Sequence, residues 1–257
     1  MTKAAFKLDL EEKFPHLSHP PIVEAAIHWQ SRAQNSLEED SLQEILSHVL
    51  PQFPKREAIH HSRLTAMVAG QDAQPKVEHQ RGWQGLRLVS DDNLQVVQFN
   101  RDGVVFSRIQ SYHGWDKFMA EAKPAWRAFE KIAAPVEIQR LSVRFINHIP
   151  TATPESLADI LGDPPTCPSN LPLSEFVYQS TFSVPDRPYG IRVIKVMQSA
   201  SLGVPQSSGL FLDCDVFTTR PLASDERVVD EVLVDLHWLK NKVFFSLLTG
   251  SSIESFK

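Results

Sequence analysis

Arg140-Leu-Ser-Val-Arg-Phe-Ile-Asn-His-Ile149 alternates with a period of two, the pattern of an extended strand. Leu141, Val143, Phe145, Asn147 and Ile149 share one face of such a strand, and Arg140, Ser142, Arg144, Ile146 and His148 share the other. One face is apolar apart from Asn147, and the other is cationic. A strand of this kind belongs in an antiparallel sheet covered on one side only.

The segments before it extend that reading. Phe14 to Pro21 is fixed in an extended form by its prolines, and Ile22 to Trp29 reads as a first strand. Ser36, Glu38, Glu39 and Asp40 open a helix whose apolar residues Leu42, Ile45, Leu46, Val49 and Leu50 follow helical spacing up to Pro51. Leu64 to Ala69 reads as a short strand and Gly70 to Gly82 as a loop. Strands follow at Leu86 to Val89, Leu94 to Asn100 and Val104 to Gln110. The turn Asn100-Arg-Asp-Gly103 joins the last two, its glycine expected to supply a positive φ. Trp115, Phe118, Met119, Ala122, Trp126 and Phe129 line one face of a helix that Pro124 is expected to kink or split.

After the opening stretch, Pro154 to Leu161 predicts a short helix and Gly162 to Pro172 a proline-rich loop. Strands are predicted at Phe176 to Val184, Ile191 to Gln198 and Leu210 to Thr218. Ser224, Asp225 and Glu226 cap a long helix with Val229, Val232, Leu233, Leu236, Leu239, Val243, Phe244 and Leu247 on its apolar stripe, and Gly250 closes it.

The order defines an α+β protein: an antiparallel sheet with helices on one face. Two β-α-β(3-4)-α halves, residues 1–135 and 136–257, join edge to edge into one continuous unit. In topology this resembles TATA-binding-like and helix-grip folds. Gly85-Leu-Arg-Leu-Val89 echoes Gly190-Ile-Arg-Val-Ile194, which points to internal duplication. The uncovered side of the sheet is then the place for function.

Composition narrows the functions. The net charge of −5 and the sequence pI of about 6.1 give no basic surplus to meet phosphates, so nucleic acid is disfavoured as a partner. Cys167 and Cys214 form neither a CxxC pair nor a disulfide framework, and both read as free thiols in a reducing, cytoplasmic compartment. Met1 to Glu12 lacks the apolar core of a signal peptide. No run of about eighteen apolar residues occurs, so no membrane span is expected.

Several segments together resemble a sporadically distributed bacterial family of about this length that carries no known reaction. They are Pro20-Pro-Ile-Val-Glu-Ala25, Phe99-Asn-Arg-Asp-Gly-Val-Val-Phe106, Tyr112-His-Gly-Trp-Asp-Lys-Phe118 and the opening stretch Arg140–Ile149. The likeness implies co-membership over nearly the whole chain and assigns no activity.

Seven residues are candidates for a site. Arg140, Arg144 and His148 form a strip that suits carboxylates or other anions, because an arginine fork matches such groups bidentately. The other reading pairs these arginines with acids of their own sheet, Asp213 or Asp215. Asp213 and Asp215 point the same way from one strand, as do Glu24 and His28, which read as an acid/base pair or a surface ion pair. The chain has no HExxH, GxSxG, GxxxxGK[ST] or GxGxxG, and His60-His61, His16 and His19 lack zinc spacing, so no metal or cofactor is expected. Asn147 reads as a backbone tie, and Trp83, Trp115, Trp126 and Trp238 as core.

The leading expectation is a non-catalytic binding module that holds a partner protein, a second copy of itself (a homodimer), a peptide or a small anionic ligand on the face bearing Arg140 and Arg144. Replacing both arginines with alanine is then expected to weaken binding without unfolding the chain. The alternatives are a metal-dependent enzyme acting on a phosphorylated or nucleotide substrate, and a component of a bacterial immunity or toxin–antitoxin system.

Overall fold

A computed structural model describes residues 6–35, 37–67, 76–151, 156–166, 171, 173–198 and 209–257. The first half runs β1 (Ile22–Ala33), α1 (Glu39–Val49), β2 (Lys55–Met67), β3 (Lys76–Val89), β4 (Gln95–Asn100), β5 (Gly103–Ile109) and α2 (Trp115–Ala133). The second runs β6 (Pro135–Ile149), α3 (Leu157–Ile160), β7 (Phe176–Ser183), β8 (Tyr189–Gln198), β9 (Gly209–Thr218), α4 (Glu226–Leu247) and α5 (Gly250–Glu254).

All nine strands form one antiparallel sheet in the order β2-β3-β4-β5-β1-β6-β9-β8-β7. The seam is β1 against β6, the leading strands of the two halves, and the last strand of each half, β5 or β9, flanks it. The sequence echo does not follow this arrangement. Gly85 lies on β3, three strands out from β1, whereas Gly190 lies on β8, two strands out from β6.

Alternation in the seam strands decides the layers. Ala25, Ile27 and Trp29 of β1 and Leu141, Val143 and Phe145 of β6 are buried on one face. Helix α2 packs there through Trp126, stacked on Trp29 at 5.7 Å, and Phe118, which meets Phe106 at 5.6 Å and Phe145 at 6.0 Å. Helix α4 covers β6 and β9, and Leu42 and Leu46 of α1 join the same core. Each fully buried leucine or phenylalanine contributes about 1.5–3 kcal/mol of transfer free energy. A smaller core of Leu157, Leu161, Leu210, Leu212 and Phe244 closes the far end.

Several expectations need correction. Where described, the predicted short strand and loop over 64–82 belong to two long paired strands, running from Lys55 opposite Val89 to Met67 opposite Lys76 with a register shift between Ile59 and His60. Ladder hydrogen bonds stabilise a polar strand that hydropathy does not reveal. Residues 68–75 lie outside the described residues, as do Cys167 and part of the predicted loop around it, residues 167–170 and 172.

Pro124 neither splits α2 nor faces the core. It is exposed, and so is Ala120, whose carbonyl loses its helical donor and meets solvent instead. The capping of α4 by Asp225 is as expected, its side chain accepting from the backbone of Arg227 and Val228. Gly250 does not close α4 but opens α5.

At the β4–β5 turn Arg101 and Asp102 have no positive φ. Gly103 itself takes the expected positive φ, 157°, and glycine is needed for a second reason: a Cβ there would lie 2.1 Å from the Trp29 carbonyl oxygen of β1. The edge strand β7 exposes Val177, Tyr178 and Phe182.

Candidate functional site

Opposite the helices, the seam carries an open cleft of about 590 Å³. Register explains its shape. Across β5, β1, β6 and β9 one row is Ser107, Ala26, Arg144 and Asp215, and the next is Val105, His28, Ser142 and Phe217. Ser107, Ala26 and Ser142 are small, so the floor dips between larger neighbours. Six of the seven predicted residues line it: Glu24, His28, Arg140, Arg144, Asp213 and Asp215.

The arginines meet acids of their own sheet. Arg144 Nε and Nη2 donate to the two carboxylate oxygens of Asp213 at 2.9 and 2.6 Å. Arg140 Nη2 donates to Asp215 Oδ2 at 2.7 Å and its Nη1 to Ser142 Oγ at 2.9 Å. The Arg140 guanidinium also lies over the Phe217 ring at 4.4 Å. That ring packs against Gly190, where a Cβ would come within 2.7 Å of it. The carboxylate of Asp213 holds the Arg144 guanidinium above its usual range. The expected cationic strip is therefore a neutralised framework, with Arg140 a quarter exposed and Arg144 half exposed at their side chains.

Glu24 and His28 share the face but form no ion pair. Four residues of strand separate them by about 13 Å, and His28 is a half-buried imidazole. Burial first and the Arg140 charge second hold its pKa below the ordinary value, against the opposing pull of Asp102 and Asp215. His28 Nε2 and Asp215 Oδ1 are both buried without a hydrogen-bond partner among the described residues. His148 stands on the same face but outside the cleft, stacked on Phe211 at 4.5 Å and pressed against Gly209.

One cleft residue escaped the sequence reading. Arg192 of β8 lies across the ladder from Asp215 and lines the cleft. It is exposed and makes no ion pair among the described residues, its nearest aromatic being Phe217 at 5.9 Å. Its place in the echoed segment Gly190–Ile194 was the available signal, but only the β8–β9 register sets it opposite Asp215.

Asp213 and Asp215 take up the reading that pairs them with the arginines of β6. Both oxygens of Asp213 accept from Arg144, and one of Asp215 accepts from Arg140, so guanidinium charge stands where a metal would sit. Cys214 faces the core, its thiol pushed up to about 12 by burial. Asn147 is a backbone tie, donating to the Leu212 carbonyl at 3.1 Å. Among the described residues no helix is long and apolar enough to cross a membrane. No family model matches the chain, and a search of curated proteins returns no match.

Proposed function

We propose that the chain is a binding module whose open sheet face holds a small ligand or peptide end bearing a carboxylate or phosphate. The observation that carries this reading is Arg192, an exposed guanidinium without a carboxylate partner among the described residues, at a cleft whose other cations are neutralised by Asp213 and Asp215. A guanidinium left with all its donors is an anion receptor. The two ion pairs act as framework. They hold the cleft floor in register and leave Arg192 as the recognition group, in place of the Arg140 and Arg144 pair expected from sequence.

A protein partner or a second copy is the other occupant, and the β7 edge with its exposed Val177, Tyr178 and Phe182 is where strand addition would occur. Membership in the bacterial family rests on the quoted motifs.

The test is a thermal-shift and titration panel of inorganic phosphate, dicarboxylates, nucleotides and acidic peptides, run on the wild type and Arg192→Ala. A ligand that stabilises the wild type and loses at least about tenfold affinity in the variant supports the reading, that factor being 1.4 kcal/mol. No response from any member, or equal binding by the variant, overturns it. Dimerisation abolished by Val177→Lys would favour the β7 edge instead.

A further inference from the structure

A second cavity, of about 700 Å³, opens on the helix-covered side, between α4, the start of α2 and the arm formed by residues 10–21. It is independent of the cleft described above. Lys240 of α4 lines it and yet is only 6 % exposed. Its Nζ donates to Asn241 Oδ1 at 2.6 Å and lies 3.9 Å from the Phe145 ring centre. No carboxylate forms an ion pair with it among the described residues; Glu12, the acid of the arm that lines the cavity, is bound to Lys242 at 2.6 Å. A buried ammonium without a counter-ion is costly, so the free amine is favoured, and burial lowers this pKa to about 7.

The surroundings reinforce that state. His237, one turn earlier on α4, stacks on Trp115 at 4.1 Å, and its Nε2 faces Asn241 Nδ2 at 3.3 Å. With the Asn241 oxygen accepting from Lys240, its amide nitrogen donates to His237, which makes Nε2 an acceptor and the imidazole neutral. Burial, then the charge of Lys240, brings the His237 pKa down to about 3. From β9, Cys214 faces the amine as a protonated thiol. From the β5–α2 connection, Tyr112 stays a neutral phenol, its pKa raised by burial. Neither contributes a charge at neutral pH.

We propose that Lys240 is a nucleophilic amine that condenses with the carbonyl of an aldehyde or ketone held in this cavity. The Nζ lone pair attacks the carbonyl carbon and the C=O π pair moves to oxygen. Nitrogen gives up its protons to that oxygen, the C–O bond breaks, and one water leaves as the C=N bond forms. The Asn241 oxygen orients the amine through one N–H and leaves the lone pair to the substrate. Trp115, Trp238 and Phe244 favour a flat apolar body next to the carbonyl.

The test treats the intact chain with benzaldehyde and sodium cyanoborohydride, the latter supplying the hydride that traps the imine, and maps the benzylated lysines by mass spectrometry. At pH 7 about half of the Lys240 side chains are free amine, against about one in 10³ or fewer for an exposed lysine. Lys240 should label at least about tenfold faster than exposed Lys117 and Lys131. Its rate should level off above pH 7, and urea should abolish the preference. Labelling of Lys240 no faster than Lys117, or only after unfolding, overturns the proposal. Lys240→Arg, checked for folding by circular dichroism, should lose the fast site alone. A fast site that survives in the folded variant also overturns it.

Discussion

Asp213 accepts from both Nε and Nη2 of Arg144, at 2.9 and 2.6 Å, although the residue directly across the ladder from Arg144 is Asp215. Asp215 in turn accepts from Arg140. Both contacts run diagonally and in the same sense across the β6–β9 pair, so they lock its register as well as neutralise charge.

Breaking either diagonal leaves a carboxylate without its cation. Asp215 is buried, so Arg140→Ala should cost about 2–4 kcal/mol in urea unfolding. Arg144 is half exposed, and its loss should cost about 1 kcal/mol. Removing Asp215 together with Arg140 should recover part of the first loss. The Arg140→Ala/Arg144→Ala protein should therefore melt early rather than only bind less well. A double variant as stable as the wild type would show that the pairs are not framework.

Gly103→Ala places a Cβ 2.1 Å from the Trp29 carbonyl oxygen, a backbone atom of the central strand that has no rotamer through which to move aside. The expected loss is about 3 kcal/mol or more. Chemical denaturation measures it, and a change below about 1 kcal/mol would mean that β5 can shift away from β1.

Lys240 makes stability depend on pH above neutrality. The unfolded chain binds this proton below about 10.5, and the folded chain only below about 7. Stability from this group therefore falls as pH drops from 10.5 to 7, by up to about 1.4 kcal/mol per unit, and is constant below 7. Lys240→Met should flatten that slope and raise stability at pH 7 by at least about 1 kcal/mol. Parallel wild-type and variant curves between pH 7 and 10 would count against a depressed pKa.

His28 and His237 act in the acid range. Both pKa values are lowered in the fold, that of His237 to about 3. Below about 6.5 the unfolded chain takes up protons that the folded chain refuses, so stability falls as pH falls. For His237 the decline continues toward pH 3, again at up to about 1.4 kcal/mol per unit. Unfolding curves at pH 7 and 5 for wild type, His28→Gln and His237→Gln should show a shallower pH dependence in each variant. An unchanged dependence in both would indicate ordinary solvated imidazoles.

How much was legible can be judged residue by residue. The alternation of Arg140–Ile149 located both faces of β6, and the helical stripes located α1, α2 and α4, because burial against one side imposes a period on the chain. The length of β2 and β3 was not legible, since those strands are held in large part by pairing with each other, and pairing leaves little trace in hydropathy. The choice between internal and external partners for Arg140 and Arg144 also stayed open, because both acids lie about 70 residues away in the chain and the contact depends on the β6–β9 register.

Lys240 shows the limit most plainly. In sequence it is one charged residue of an amphipathic helix, close to the apolar stripe of α4. Only the tertiary structure sets it over Phe145 and beside a cavity, with no carboxylate paired to it among the described residues. By itself, then, the sequence determined the class of fold and the faces of its central strands, since periodic burial is a local property. Which charged groups are neutralised and which remain available was decided by strand order and register, since electrostatics depends on distances between residues far apart in the chain.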